Sequence, residues 1–297
     1  MKMLCAVVLS VACVAFLIAN GQTRKKGDRP SPTPDSELTQ IPGVKWQKGP
    51  SIGILGSVAE VHVPAGYVFA GANDTRIIME ANKNPTSGKE IGFVAPAGED
   101  WFAVFEFDDV GYIRDDEKNS LDEGALLASI KTGTAEGNKE RERRGWPIMT
   151  IIGWEQQPRY NEATHNLEWA IRAESEGAPL INYNTRLLGR GGVVEVTLVT
   201  STSTLSETLP KFKTMLAGFD FKQGQKYAQF QQGDKIAEYG LTGLIVGGTT
   251  AVLVKTGVFK WLWKGIIALG IAASAFIKKV FAYIKKLFSR EKAGLES

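Results

Sequence analysis

An α+β fold, an antiparallel sheet packed with helices and followed by a C-terminal transmembrane helix and a basic amphipathic helix, is predicted from three observations. Residues 48–234 alternate short β-patterned runs with two long helical patterns. Apolar runs stand near both ends of the 297-residue chain. Charge is segregated along the chain. Residues 1–47 carry six Lys/Arg against three Asp/Glu, residues 48–234 carry 19 against 26, and residues 235–297 carry ten against three. The body is therefore acidic, and the overall net charge of +3 does not describe it. Such a body is no nucleic-acid binder, whereas the basic C-terminal end suits anionic lipid headgroups.

Residues 1–20 hold "MLCAVVLSVACVAFLIA" after Lys2, the pattern of a signal peptide or an N-terminal anchor. Both cysteines, Cys5 and Cys13, lie inside it, so a cleaved product has no disulfide, no thiol nucleophile and no Cys-ligated metal. Residues 21–47, "GQTRKKGDRPSPTPDSELTQIPG" and a few more, have the Pro-rich polar composition of a flexible linker.

At the other end, residues 235–255 contain "IAEYGLTGLIVGGTTAVLV", nineteen residues with one charge, Glu238. That length suits a transmembrane helix. Residues 256–290 place Phe259, Leu262, Trp263 and Ile266 on one helical face and Lys260, Lys264, Lys278, Lys279, Lys285 and Lys286 on the other. This is a basic amphipathic helix or a second membrane segment. One span leaves the basic end inside and the body outside, in keeping with the retention of positive charge in the cytoplasm.

In the body, "VAEVHVPAGYVFA" reads as two strands and "NDTRIIMEAN" as a short helix capped by Asn or Asp. "IGFVAP" and "WFAVFEFDDVGYI" read as strands. A long helix opens on a capping box, Ser120 with Glu123, and closes at Gly145 and Pro147. "IMTIIGWEQQPRY" begins a run of strands, "TLSETLPKFKTMLAGFDF" gives a second helix ending at Gly218, and residues 219–221 form a last strand. This order resembles the PsbP/Mog1-like sandwich.

Chemistry-bearing motifs are sparse. His62 and His165 are the two histidines, and there is no His-Glu-x-x-His, Cys-x-x-Cys or Gly-x-Ser-x-Gly. "GPSIGILGS" is neither a Walker loop nor a dinucleotide fingerprint, and the acids of "FDDVGYIRDDEKNSLDE" lack the alternation of a calcium loop. No catalytic residue, metal site or cofactor is expected.

The richest polar stretch is residues 165–200, read as three antiparallel strands over 166–174, 180–188 and 193–200. An Arg190-Gly191 turn pairs Leu187 with Val194, Tyr183 with Leu198, Arg186 with Glu195 and Asn184 with Thr197. Leu167, Trp169 and Ile171 are expected in the core with Tyr183 and Leu187. Glu168, Arg172, Asn182, Asn184, Arg186 and Glu195 are expected on the outer face. One allowed register of the first turn, "SEGAP", sets Glu168 opposite Arg186, making a Glu168–Arg186–Glu195 ladder across three strands. As an exposed ladder each pair stabilises by about 0.2–1 kcal/mol. As a site, the same six residues would bind a small anionic or sugar-like ligand. A hydrolase using His165 and Glu168 is disfavoured, because strand parity sends the two to opposite faces.

"VPAGYVF", "WFAVFEFDDVGYIRDDE", "NKERERRGWP", "HNLEWAIR", "NYNTRLLGRGGV", "FDFKQGQKYAQF" and "GDKIAEYGLTGLI" together resemble the bacterial membrane-anchored family known as domain of unknown function 2167. The resemblance covers roughly residues 49–290. It implies an envelope protein with a C-terminal anchor and brings no catalytic residues with it. The resulting expectation is an interaction or scaffold protein at the inner membrane, its main domain extracytoplasmic, meeting anionic lipid and a protein partner.

Overall fold

The computed structural model describes residues 41–96 and 101–247. In chain order the strands are β1 (Gln47–Lys48), β2 (Ser51–Leu55), β3 (Ala59–Val63), β4 (Tyr67–Gly71), β5 (Glu90–Pro96), β6 (Phe102–Asp108), β7 (Thr150–Asn161), β8 (Asn166–Ser175), β9 (Ala178–Leu188), β10 (Val193–Ser201) and β11 (Phe219–Phe221). The helices are α1 (Ala72–Ala81), α2 (Glu123–Arg143), α3 (Leu205–Leu216) and α4 (Leu241–Val246). Eight strands form one antiparallel sheet in the order β1-β4-β5-β6-β10-β9-β8-β7, and β11-β3-β2 form a second. The α+β class and the large antiparallel sheet are as expected.

Both faces of the large sheet are covered. On one face Phe105, Tyr183, Leu187, Val194, Val196 and Leu198 pack against the small sheet and against Phe212 and Met215 of α3. On the other, Ile78 and Met79 of α1 pack on Val68, Phe93, Val104 and Val199. Beside them, Leu126 and Ile130 of α2 and the side chains of α4 pack on Leu167, Trp169, Ile171, Leu188 and Val193. The two sheets meet at Phe69. A Cβ on Gly53 would lie 2.6 Å from that ring, and one on Gly92 2.5 Å from Leu55, so only glycine allows this approach.

Several boundaries differ from the sequence reading, each for a local reason. Strand β2, unread within "GPSIGILGS", pairs with β3 from Ser51↔Val63 to Leu55↔Ala59. Helix α1 starts after Gly71 with no side-chain cap, and Asp74 instead accepts the Lys45 N–H at 3.1 Å. Helix α2 is capped two residues later than expected, by Asp122, whose carboxylate accepts the Ala125 N–H at 2.9 Å. Its expected end holds: Gly145 takes φ +64 just after Arg143. The linker ends sooner than 47, since Ile41, Val44 and Trp46 pack on the α1 cluster and Gln47 pairs with Phe69.

The segment expected to open a transmembrane helix at 235 is not helical there. Ile236 bridges Tyr112 in parallel, with Tyr112 N–H donating to Lys235 O at 2.7 Å and Ala237 N–H to Tyr112 O at 2.9 Å. Only six residues then turn helical before Gly247 ends them at φ +83. Leu241, Leu244, Ile245 and Val246 are buried in the α2 cluster, so these apolar residues find a protein face. No helix among the described residues is long and apolar enough to cross a membrane. The signal or anchor at 1–20, the linker at 21–40, residues 248–255 and the basic segment 256–290 lie outside the described residues.

Arg141 ties α2 to the loop after α1. It is fully buried, and its guanidinium donates to Asn84 Oδ1 (2.9 Å), Pro147 O (3.1 Å) and Lys83 O (3.4 Å). With amide oxygens as partners, burial lowers its pKa to about 10 and leaves it charged. Arg141→Ala removes these bonds and opens a cavity, so unfolding in urea is expected to show a loss of about 2–4 kcal/mol.

Candidate functional site

The polar residues of β8–β10 divide between two places. Strands β9 and β10 pair as expected, Arg186 with Glu195 and Asn184 with Thr197. Arg186 Nη2 stands 3.0 Å from Glu195 Oε2, and Thr197 Oγ1 donates to Asn184 Oδ1 at 3.3 Å. The expected ladder through Glu168 does not form. Glu168 lies opposite Thr185, and Arg186 faces Leu167. The cause is the turn between β8 and β9. Glu176 and Gly177 both take positive φ, +51 and +76, forming a two-residue turn that pairs Ser175 with Ala178. That register differs by one residue from the ladder register and flips every β8 side chain.

Leu167, Trp169 and Ile171 consequently share a face with Asn182, Asn184, Arg186 and Glu195. Glu168 and Arg172 lie on the opposite face. The six residues do not form one surface. Arg172 pairs with Glu155 on β7, exposed, while Arg186 and Asn182 are 3% and 5% exposed beneath the helices. The Arg186 guanidinium lies over the Trp169 ring, 4.7 Å from its centroid. Its Nε and Nη1 are buried without hydrogen-bond partners among the described residues. Burial holds the Glu195 carboxyl above its usual range, with Arg186 opposing the shift.

The ladder runs the other way. Glu195 lies opposite Glu106 on β6, and Glu106 opposite Glu90 on β5. At the far end Arg76 of α1 reaches Glu90 at 3.2 Å. This row crosses the sheet between the α1 cluster and the α2–α4 cluster. Glu90 and Glu106 escaped sequence analysis, although a carboxylate inside an apolar run such as "FAVFEFDD" is a signal that burial needs a partner.

The second place is an open cleft of about 540 Å³. His165 and Glu168 line one wall, Lys213 and Leu216 of α3 another, and Phe219 to Phe221 with Lys226 and Tyr227 a third. Glu168 accepts from Tyr183 Oη (2.7 Å) and Lys213 Nζ (3.3 Å). Lys226 Nζ donates to Asp220 Oδ1 at 2.8 Å. Burial and the bond to Glu168 hold the Tyr183 hydroxyl protonated, far above its usual range. His165 sits at φ +52 in the turn before β8, which takes it out of strand parity. It therefore reaches the same cleft as Glu168. Its Nδ1 bonds Tyr160 Oη at 3.1 Å, and its ring lies tilted against Tyr227 with centroids 4.4 Å apart. Its bonds and those of Glu168 thus run to different partners.

One edge of β11 is open on this cleft. Gly218 O accepts from His62 N–H and Val58 O from Lys222 N–H, both at 2.9 Å. Alternation then turns the N–H and C=O groups of Phe219 and Phe221 away from β3. Among the described residues no three or more His, Cys, Asp or Glu side chains are grouped to hold a metal ion.

Residues 47–278 match the family described as "Protein of unknown function (DUF2167)". The chain belongs to that family. A comparison with curated proteins returned no match. Among solved structures, the chain is similar to cyanobacterial PsbP from Synechocystis (12% identity, 62% of this chain and 95% of that one, TM-score 0.34). It is also similar to the Ran-binding protein Mog1p of Saccharomyces cerevisiae (8%, 63% and 98%, TM-score 0.31). A third is PA94 of Pseudomonas aeruginosa, a protein of unknown function (12%, 55% and 91%, TM-score 0.23).

In this DUF2167 chain the cleft was illegible in sequence because its walls come from residues near 165, 187, 213 and 226, and only the fold brings them together. The buried pair gives a quantitative expectation. Arg186→Ala leaves Glu195 without its cation, and denaturant titration should show a loss of about 3–5 kcal/mol. An exposed cross-strand pair would cost about 1 kcal/mol or less.

Proposed function

We propose that this protein is a non-enzymatic interaction protein of the bacterial envelope. In this reading, residues 248–290 hold it at the inner membrane through their apolar and lysine-rich composition. The body faces the extracytoplasmic side, and a protein partner docks in the cleft. The observation that carries the reading is the makeup of the cleft. Its charged groups are joined in cation–carboxylate pairs, Lys213–Glu168 and Lys226–Asp220, and not as a nucleophile beside a base. Its wall also presents the edge of β11 that pairs with no strand among the described residues, beside Leu216, Phe219 and Phe221.

An extended segment of a partner protein suits both features. Its backbone can pair with Phe219 and Phe221, and its side chains can meet apolar walls and mixed charges. The paired rim charges favour a segment of little net charge. The small-ligand alternative finds less support, since Arg186 and Asn182 are covered by the helices.

Mild detergent extraction of the full chain from bacterial membranes tests the reading. The wild type is expected to co-purify with a partner. The double variant Lys213→Glu/Lys226→Glu should retain at least tenfold less of it, with unfolding stability changed by no more than about 1 kcal/mol, since both ion pairs are largely exposed. A wild type that always runs alone, or a double variant that keeps its partner, ends the proposal.

A further inference from the structure

We propose that the native protein holds one buried proton on Glu106, at the centre of the Arg76–Glu90–Glu106–Glu195–Arg186 row, and that losing it loosens the pairing of β5, β6 and β10. The row contains three carboxyl groups and two guanidinium groups, so one bound proton balances its charge. Directly opposed residues on adjacent strands have Cβ atoms about 4.5–5.5 Å apart. Glu106, 6% exposed, is opposed by Glu195 on one side and Glu90 on the other.

Hydrogen-bond stoichiometry leaves room for the proton on Glu106, because the one Ser87 hydroxyl proton cannot serve both carboxyl groups that it touches. Glu90 has the surroundings of an ionised carboxylate. It accepts from Ser87 N–H (2.5 Å), Gly88 N–H (3.0 Å) and Arg76 Nε (3.2 Å), and Ser87 Oγ lies 3.0 Å from its Oε1. Ser87 Oγ also lies 2.5 Å from Glu106 Oε1 and accepts the Lys89 N–H at 3.0 Å. A hydroxyl has one proton to give. If Ser87 donates to Glu90, its contact with Glu106 requires Glu106 to be the donor. A carboxyl donating there is protonated.

The groups facing Glu106 come from several elements. Ser87 and Glu90 come from β5 and the loop before it, and Glu195 and Arg186 from β10 and β9. Lys89 pairs with Asp108 at 2.7 Å one position along the same face, and Tyr239 donates to Asp108 at 3.4 Å. Burial first, then the Glu195 charge and, more weakly, the Glu90 charge push the Glu106 carboxyl up to about 8, against the opposing pull of the Ser87 hydroxyl and of Arg186. The unfolded chain releases this proton near 4.5. Between the two values the native state binds a proton that the unfolded state does not, so stability falls as pH rises through that window. The seam between α1 and the α2–α4 cluster thereby responds to the pH of the compartment around the body.

The test uses the full-length protein. Between pH 5 and 8 the wild-type folding constant is expected to fall up to about tenfold per pH unit from this one proton. Glu106→Gln, which keeps a donor for Ser87, should lose that component and be more stable than the wild type above pH 8. Parallel pH profiles for the two would overturn the proposal. Should Glu106→Gln fail to fold, the wild type still reports directly through the infrared stretch of a protonated, solvent-shielded carboxyl. Its persistence at pH 6.5 supports the proposal and its absence sinks it. Ser87→Ala fixes the direction of the bond. Loss of an acceptor lowers the titration midpoint, whereas loss of a donor raises it and would contradict the assignment.

Discussion

The eight-stranded sheet is covered on both faces, and any polar side chain in its middle has to be neutralised where it stands. The rest of the architecture follows from that condition. Strands β5, β6, β9 and β10 are buried along nearly their whole length. Apolar residues therefore appear on both parities, and the carboxylates that remain are matched to arginines within the row or hold a proton. Buried charges are costly alone and tolerable in a bonded series, which is why Arg186, Glu195 and Glu90 have partners at 3.0–3.2 Å.

Double coverage also explains where the helices sit. Three helices share one face, and the polar row marks the line along which α1 gives way to α2 and α4. Arg141 bridges the same divide from the helix side through Asn84. The opposite face is taken by the small sheet and α3, which lets the short strand β11 approach the ends of β8 and β9 without pairing with them. The cleft is the space left between these two layers. Its lysines and acids are paired at a half-exposed rim, where ion pairs contribute little stability and are free to exchange for a ligand's charges.

The two regions differ in kind. The row is closed, and its chemistry is that of ionisation inside the fold. The cleft is open, and its chemistry is that of recognition. The acidic 108–117 loop stands near both the row and the tail. Tyr239 meets Asp108, and Thr242 N–H donates to Glu117 Oε2 at 2.7 Å. The chain leading to the C-terminal segment is thus fastened beside the strand that carries Glu106.

Much of this was legible in the residues alone. Period-two patterns located nine of the eleven strands among the described residues, because alternation and turn residues are local properties. The Arg190-Gly191 turn determined the β9–β10 register, and with it the Arg186–Glu195 pair. The kinship of the chain was likewise plain from sequence. Tertiary structure decided three matters. It chose the β8 register, since parity cannot select a face when both are buried and the positive φ of Glu176 and Gly177 settles the turn. It diverted apolar residues 241–246 onto α2, because an apolar helix gains as much from a protein face as from lipid. And it assembled the row and the cleft, whose members lie as far apart in sequence as Arg76 and Glu195 and meet only through strand order.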